Sequence, residues 1–178
     1  MRWLTFAILA AIMLVLQTAA APHLALAGIQ PDWMFILATF YALLGPWPDV
    51  GIAAWTLGLL VDLQTAGGTD RGQVGLLAFA YGGAVWLVHL FRELVFREHW
   101  LAHLVATLIG ALLVQSVVAV YRTVTAPPGP GPATGYWSFA LWTALYTAFW
   151  SPYFHFVLIR LGRATGFRPV GSRRRQSA

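Results

Sequence analysis

The sequence predicts an all-α protein, a polytopic membrane helix bundle of about six transmembrane helices. Three observations carry this reading. Of the 178 residues, 59% are apolar and only 10% are charged, against roughly 25% charge in a soluble domain. Mean hydropathy is +0.69. The apolar residues gather into stretches separated by Gly, Pro and Arg, and roughly 120 such residues hold about six spans of ~20 residues each. So little charge cannot coat a water-exposed surface, which excludes a soluble globular domain, a disordered tail and a coiled coil. The chain has no Cys, which excludes disulfides, thiolate metal sites and Cys nucleophiles. All 11 basic residues are Arg, and with 6 acids they give a net charge of +5. That balance suits anionic lipid head groups rather than nucleic acid. The expected organisation is one transmembrane domain, residues 1–163, with an Arg-rich cytoplasmic tail over 164–178.

Segment one runs from about Trp3 to Ala21, after Arg2. Its Ala19-Ala20-Ala21 end resembles a signal-peptide cleavage site, but Pro22 would be a poor first mature residue. Nearly 20 apolar residues are also enough to span, so the segment is read as retained. Segment two, from about Pro31 to Leu44, opens on a proline, which suits a first helical turn. Segment three runs from about Val50 to Leu63. At about 14 residues each, two and three rise only about 21 Å, short of a ~30 Å hydrocarbon core. The breaker Gly45-Pro46-Trp47-Pro48-Asp49 joins them. They form either two short spans that thin the bilayer or a re-entrant hairpin; two spans are the expectation. Segments four, five and six run from about Gly72 to Phe91, Trp100 to Tyr121 and Tyr136 to Leu161. The stretch from Ala126 to Ala133, rich in Pro and Gly, separates the last two as an extended loop.

Arginine placement sets the orientation. With the N-terminus in the cytoplasm, the inner side holds Arg2, Arg92, Arg97, Arg160, Arg163, Arg168, Arg173, Arg174 and Arg175. The outer side holds only Arg71 and Arg122. Both termini are therefore expected in the cytoplasm. Trp3, Trp33, Trp47, Trp100 and Trp137 fall near segment ends, where interfacial belts place tryptophan.

Asp62 is the most informative polar residue. A carboxylate at depth costs about 2.5–3.5 kcal/mol on insertion scales, so it should face protein or water. Gly51, Ala54, Gly58 and Asp62 recur at spacings of three and four, on one helical face, and small residues there let another helix approach. Asp62 is thus either a polar tie or groove-lining residue, or a capping carboxylate that reaches head-group water. Arg71 is its candidate ion-pair partner. A second small stripe, Gly75, Ala78 and Gly82, points to helix packing in segment four. His99 and His103 stand four apart, but Glu98 precedes the first, so the metalloprotease order is absent; both are expected at the interface. His23 and His155 read as isolated. Ser116 and Ser151 are expected to bond to backbone. No Gly-x-Ser-x-Gly elbow occurs, and Gly67-Gly68-Thr69 lacks the Lys of a phosphate loop. No catalytic residue, metal site or cofactor is expected. The tail, with Arg168, Arg173, Arg174 and Arg175, is a lipid-contact candidate for anionic lipids.

The ordered features resemble the rod shape-determining protein MreD family. They are an apolar first segment, Pro31-Asp32 opening a short second one, a breaker with Gly51, the Gly58-Leu59-Leu60-Val61-Asp62 stretch, and Gly75 leading an apolar segment to Tyr81. The resemblance covers nearly the whole chain, with Pro31, Asp32, Gly58 and Asp62 at its motif positions. It implies a non-enzymatic inner-membrane component of the bacterial cell-elongation machinery. It also implies MreC as partner, links to MreB, to RodA and its penicillin-binding transpeptidase, and a bundle similar to the substrate-binding subunits of energy-coupling-factor vitamin transporters. The leading expectation is a scaffold that presents grooves to a partner's helix. The rival is a transporter subunit capturing a vitamin-like molecule, which requires an outward pocket with convergent polar groups.

Overall fold

In the computed structural model, the described residues are 3–65, 74–91, 100–125 and 134–164. They form six α-helices: α1 (Trp3–Ala19), α2 (Trp33–Leu44), α3 (Asp49–Thr65), α4 (Leu76–Phe91), α5 (Trp100–Thr125) and α6 (Thr134–Ala164). One 3-10 turn, Ala21–Leu24, follows α1. The expected segments thus appear in order, with ends shifted by a few residues. Arg2, Glu98, His99, Asp70, Arg71, Arg92 and Arg97, the Gly67-Gly68-Thr69 stretch, the Pro-Gly loop, and the tail with Arg168, Arg173, Arg174 and Arg175 lie outside the described residues.

α2 is the centre of the bundle. Its sequence, Trp-Met-Phe-Ile-Leu-Ala-Thr-Phe-Tyr-Ala-Leu-Leu, has no polar face, and a helix apolar all round belongs inside. Every residue from Trp33 to Leu43 is buried, and α2 touches α1, α3, α4, α5 and α6. Phe35 packs edge-on against Tyr81 of α4, and Phe40 against His155 of α6. The central position also corrects one expectation. Trp33 is 3% exposed and packs on Trp150 and Phe154, so it belongs to the core and not to an interfacial belt. Trp3, Trp47 and Trp137 remain substantially exposed.

Around α2 the helices pair antiparallel, α3 with α4 and α5 with α6. Among the described residues, α5 alone is long and apolar enough to cross a membrane by itself, over His103–Thr125; α1, α2 and α4 are apolar but shorter. Large outward side chains such as Ile8, Ile12, Phe79, Trp86, Trp142 and Phe149 are exposed, the surface a helix bundle turns to lipid tails. The link from α1 to α2 closes tightly: Leu26 and Ile29 exchange backbone hydrogen bonds of 3.0 and 2.9 Å. The Tyr146 hydroxyl donates to the Leu24 carbonyl at 2.8 Å and ties this link to α6.

Candidate functional site

A helix begins with N–H groups that have no partner within it. For α4 they follow Gly75, whose φ of +99° lies in the left-handed region that glycine tolerates. Glycine offers no side chain to cap them, and Asp62 does so from α3. Its Oδ2 accepts the N–H of Gly75 at 2.9 Å and of Ala78 at 3.0 Å, and its Oδ1 accepts that of Leu77 at 3.1 Å. The carboxylate also faces the positive end of the α4 dipole. Asp62 is only 2% exposed, so it holds neighbouring backbone and does not reach head-group water. One turn earlier on the same face stands Gly58. A Cβ there would lie 2.5 Å from the Leu77 carbonyl oxygen and 2.7 Å from Ala78 Cα. The first turn of α4 rests on bare α3 backbone, which places Asp62 beside the orphan donors.

The Pro31-Asp32 opening is a second junction. Asp32 is the N-cap of α2, and its Oδ1 accepts the N–H of Phe35 at 3.0 Å. Its Oδ2 accepts the hydroxyl of Tyr81 from α4. Its own N–H donates to Thr147 Oγ1 of α6 at 2.9 Å. Gln17 of α1 clamps the same turn, donating to the Pro31 carbonyl at 3.1 Å and accepting from the Trp33 N–H at 2.8 Å. Four helices thus meet at two residues. α4 serves both carboxylates within one turn, through the Ala78 N–H and the Tyr81 hydroxyl.

The small-residue stripes divide under this geometry. Gly58 meets Ala78 where α3 crosses α4, and Ala54 and Ala78 are both buried. A Cβ on Gly51 would approach the Trp47 ring at 3.2 Å, whereas one on Gly82 would meet only Trp55 at an ordinary 3.9 Å. A glycine that the stripes did not include, Gly110 of α5, sits where a Cβ would come within 2.7 Å of the Phe35 ring.

At the opposite end, α6 returns beside α5 and brings His155 to His103. The two rings lie 4.4 Å apart and are buried. This corrects the reading of His155 as isolated and of His103 as interfacial; sequence order does not show that residues 52 positions apart meet across an antiparallel helix pair. Ser151 joins them. Its hydroxyl lies 2.6 Å from Thr107 Oγ1 and 3.1 Å from His155 Nδ1, and donates to the His103 carbonyl at 3.3 Å. His103 Nδ1 and His155 Nε2 have no partner among the described residues.

Chemically, the carboxylate end is structural. Both Asp side chains are engaged by donors from the protein, and among the described residues no group of three or more His, Asp or Glu could hold a metal. A cavity of about 410 Å³ opens beside Asp32, walled by the link that leads into α2 and by residues of α1, α3, α4, α5 and α6, including Gln17, Val61, Leu77, Arg122 and Thr143. Sequence reasoning missed Tyr81 as a partner of Asp32, and also Gln17, Thr147 and the His103–His155 pair. Gln17 did carry a signal, a lone amide inside an apolar segment. Thr147 carried none.

The architecture and its junctions define a class: a helical integral membrane protein whose buried carboxylates fix helix starts in place. The family follows from sequence. The description rod shape-determining protein MreD matches residues 1–164, and the chain belongs to the MreD family. Members of this family are non-enzymatic shape-determining membrane proteins, and this chain's role is accordingly in rod shape determination. No curated protein and no solved structure matches the chain, so the likeness to energy-coupling-factor subunits gains no support.

Proposed function

We propose that the protein is an inner-membrane scaffold of the bacterial cell-elongation machinery, with both termini in the cytoplasm, and that it binds MreC. Through MreC it supports peptidoglycan synthesis alongside MreB, RodA and its penicillin-binding transpeptidase. The observation that carries this reading is the family match over residues 1–164. The geometry supports it in two ways. The Asp62 and Asp32 junctions use their carboxylates to hold helices together. The outward faces of α1, α4 and α6 carry large apolar side chains, open to lipid or to a partner's span. The nine-to-two distribution of Arg supports the orientation, and Arg168, Arg173, Arg174 and Arg175 then lie beside the anionic inner leaflet.

The test is co-expression with a candidate MreC, followed by co-purification in detergent. Recovery of a stoichiometric complex is expected, and recovery equal to that with an unrelated single-span protein would overturn the proposal. Cells depleted of their own family member should regain rod shape with the wild-type chain. The rival, capture of a vitamin-like molecule for a transporter, predicts a thermal shift with a vitamin panel.

A further inference from the structure

The cavity beside Asp32 is not used by the scaffold reading and goes beyond it. Its volume of about 410 Å³ falls within the range of small-molecule sites. It lies beside the start of α2 and the ends of α1 and α3, and runs along α5 from Gln115 to Arg122 and along α6 from Phe139 to Thr143.

Its polar groups are unevenly satisfied. The Asp32 carboxylate already accepts the Phe35 N–H and the Tyr81 hydroxyl. Arg122, half-buried near the end of α5, has no ion pair among the described residues. Thr143 is 6% exposed, and its hydroxyl has no partner among the described residues, although a buried hydroxyl is normally paired. Gln30 and Gln115 add amide groups to the same walls, whereas the Thr65 hydroxyl there already donates to carbonyls of α3. The cavity thus combines one guanidinium with neutral donors and a carboxylate that is already engaged. Guanidinium with nearby hydroxyl and amide donors suits an oxyanion that accepts several hydrogen bonds.

We propose that this cavity binds a phosphate-bearing group, held by Arg122 and Thr143. Basic pockets between membrane helices on the cytoplasmic side receive phospholipid head groups, and Arg122 offers the same chemistry on the outer side. The same chemistry could be supplied by a phospholipid or by a free phosphate ester, and the experiment separates them.

Full-length protein, stripped of lipid in a neutral detergent, is titrated with dioleoylphosphatidylglycerol, with dioleoylglycerol and with glycerol 3-phosphate, and its melting temperature is followed. The phospholipid should raise it and dioleoylglycerol should not, because only the phosphate differs in kind. A shift with glycerol 3-phosphate as well assigns the site to free phosphate esters; a shift with phospholipid alone assigns it to a head group. Arg122→Gln should weaken the apparent affinity about tenfold, the cost of one charge-assisted contact. Arg160→Gln, on a guanidinium that instead lies over the Phe156 ring, should leave it unchanged. Should Arg122→Gln fail to fold, the isosteric Thr143→Val carries the test, with an expected loss of a few-fold. Equal shifts from phospholipid and dioleoylglycerol would overturn the proposal. So would an Arg122 or Thr143 variant that binds as wild type, or an equal loss in Arg160→Gln.

Discussion

At one end of the bundle, Asp32 and Asp62 are held by N–H and O–H donors from their own and neighbouring helices. At the other, His103 and His155 stack with one ring nitrogen each left without a partner among the described residues. The difference follows from what each group costs to bury. A carboxylate taken out of water needs pairing or hydrogen bonding to remain inside. An imidazole has a neutral form at ordinary pH, so it can be buried with one nitrogen unmet at the cost of a polar group and not of an ion. The carboxylate end is therefore a place where helices are locked to one another, whereas the histidine end is packed and only partly bonded.

The sharpest way to break this contrast is Asp62→Ala. It strands three N–H groups, each worth about 1–3 kcal/mol when left unmet, so a loss of about 3 kcal/mol or more is expected in thermal unfolding in detergent. Asp62→Asn should fall between, because one amide oxygen cannot serve all three donors and its NH2 would face an N–H. A wild-type melting curve for the alanine variant would end the cap reading. Gly58→Ala comes next. Its Cβ would press on the backbone of Leu77 and Ala78, and overpacking of this kind costs about 1–3 kcal/mol. Tyr81→Phe removes one donor from Asp32 and should cost about 1.5 kcal/mol, at the low end for a bond to a charged group because the Phe35 N–H still serves the carboxylate. His155→Phe should change stability least, by about 1 kcal/mol or less, as an aromatic exchange in a packed site. If it destabilised as much as Asp62→Ala, the two ends would not differ as described.

Much of the fold was legible because lipid imposes simple rules. The six segments follow from apolar run length, and their boundaries differ from the observed helices mainly where capping decides the end. The apolar run places the start of segment four at about Gly72, yet α4 starts at Leu76 because Asp62 holds the turn after Gly75. Pro31, Asp32, Gly58 and Asp62 stand out in the sequence, but their partners do not, since Asp32 and Tyr81 meet across 49 positions and only the packing of α2 against α4 joins them. Segment two was the most instructive. Its shortness raised the choice between a thin span and a re-entrant hairpin, when the more informative property was the missing polar face. Trp33 misled for the same reason: a tryptophan at a segment end implies an interface only if that end reaches lipid.

The enclosure of α2 also bears on how the chain is made. Twelve residues in a helix rise about 18 Å, so this piece has no comfortable station in a bilayer of its own. Two of the five helices that surround it, α5 and α6, are translated last. During synthesis it must wait, sheltered by the insertion machinery or by α1, until the C-terminal pair arrives to close the ring. Chains that stop before α6 should therefore be cleared by proteolysis, even though every segment they contain is intact.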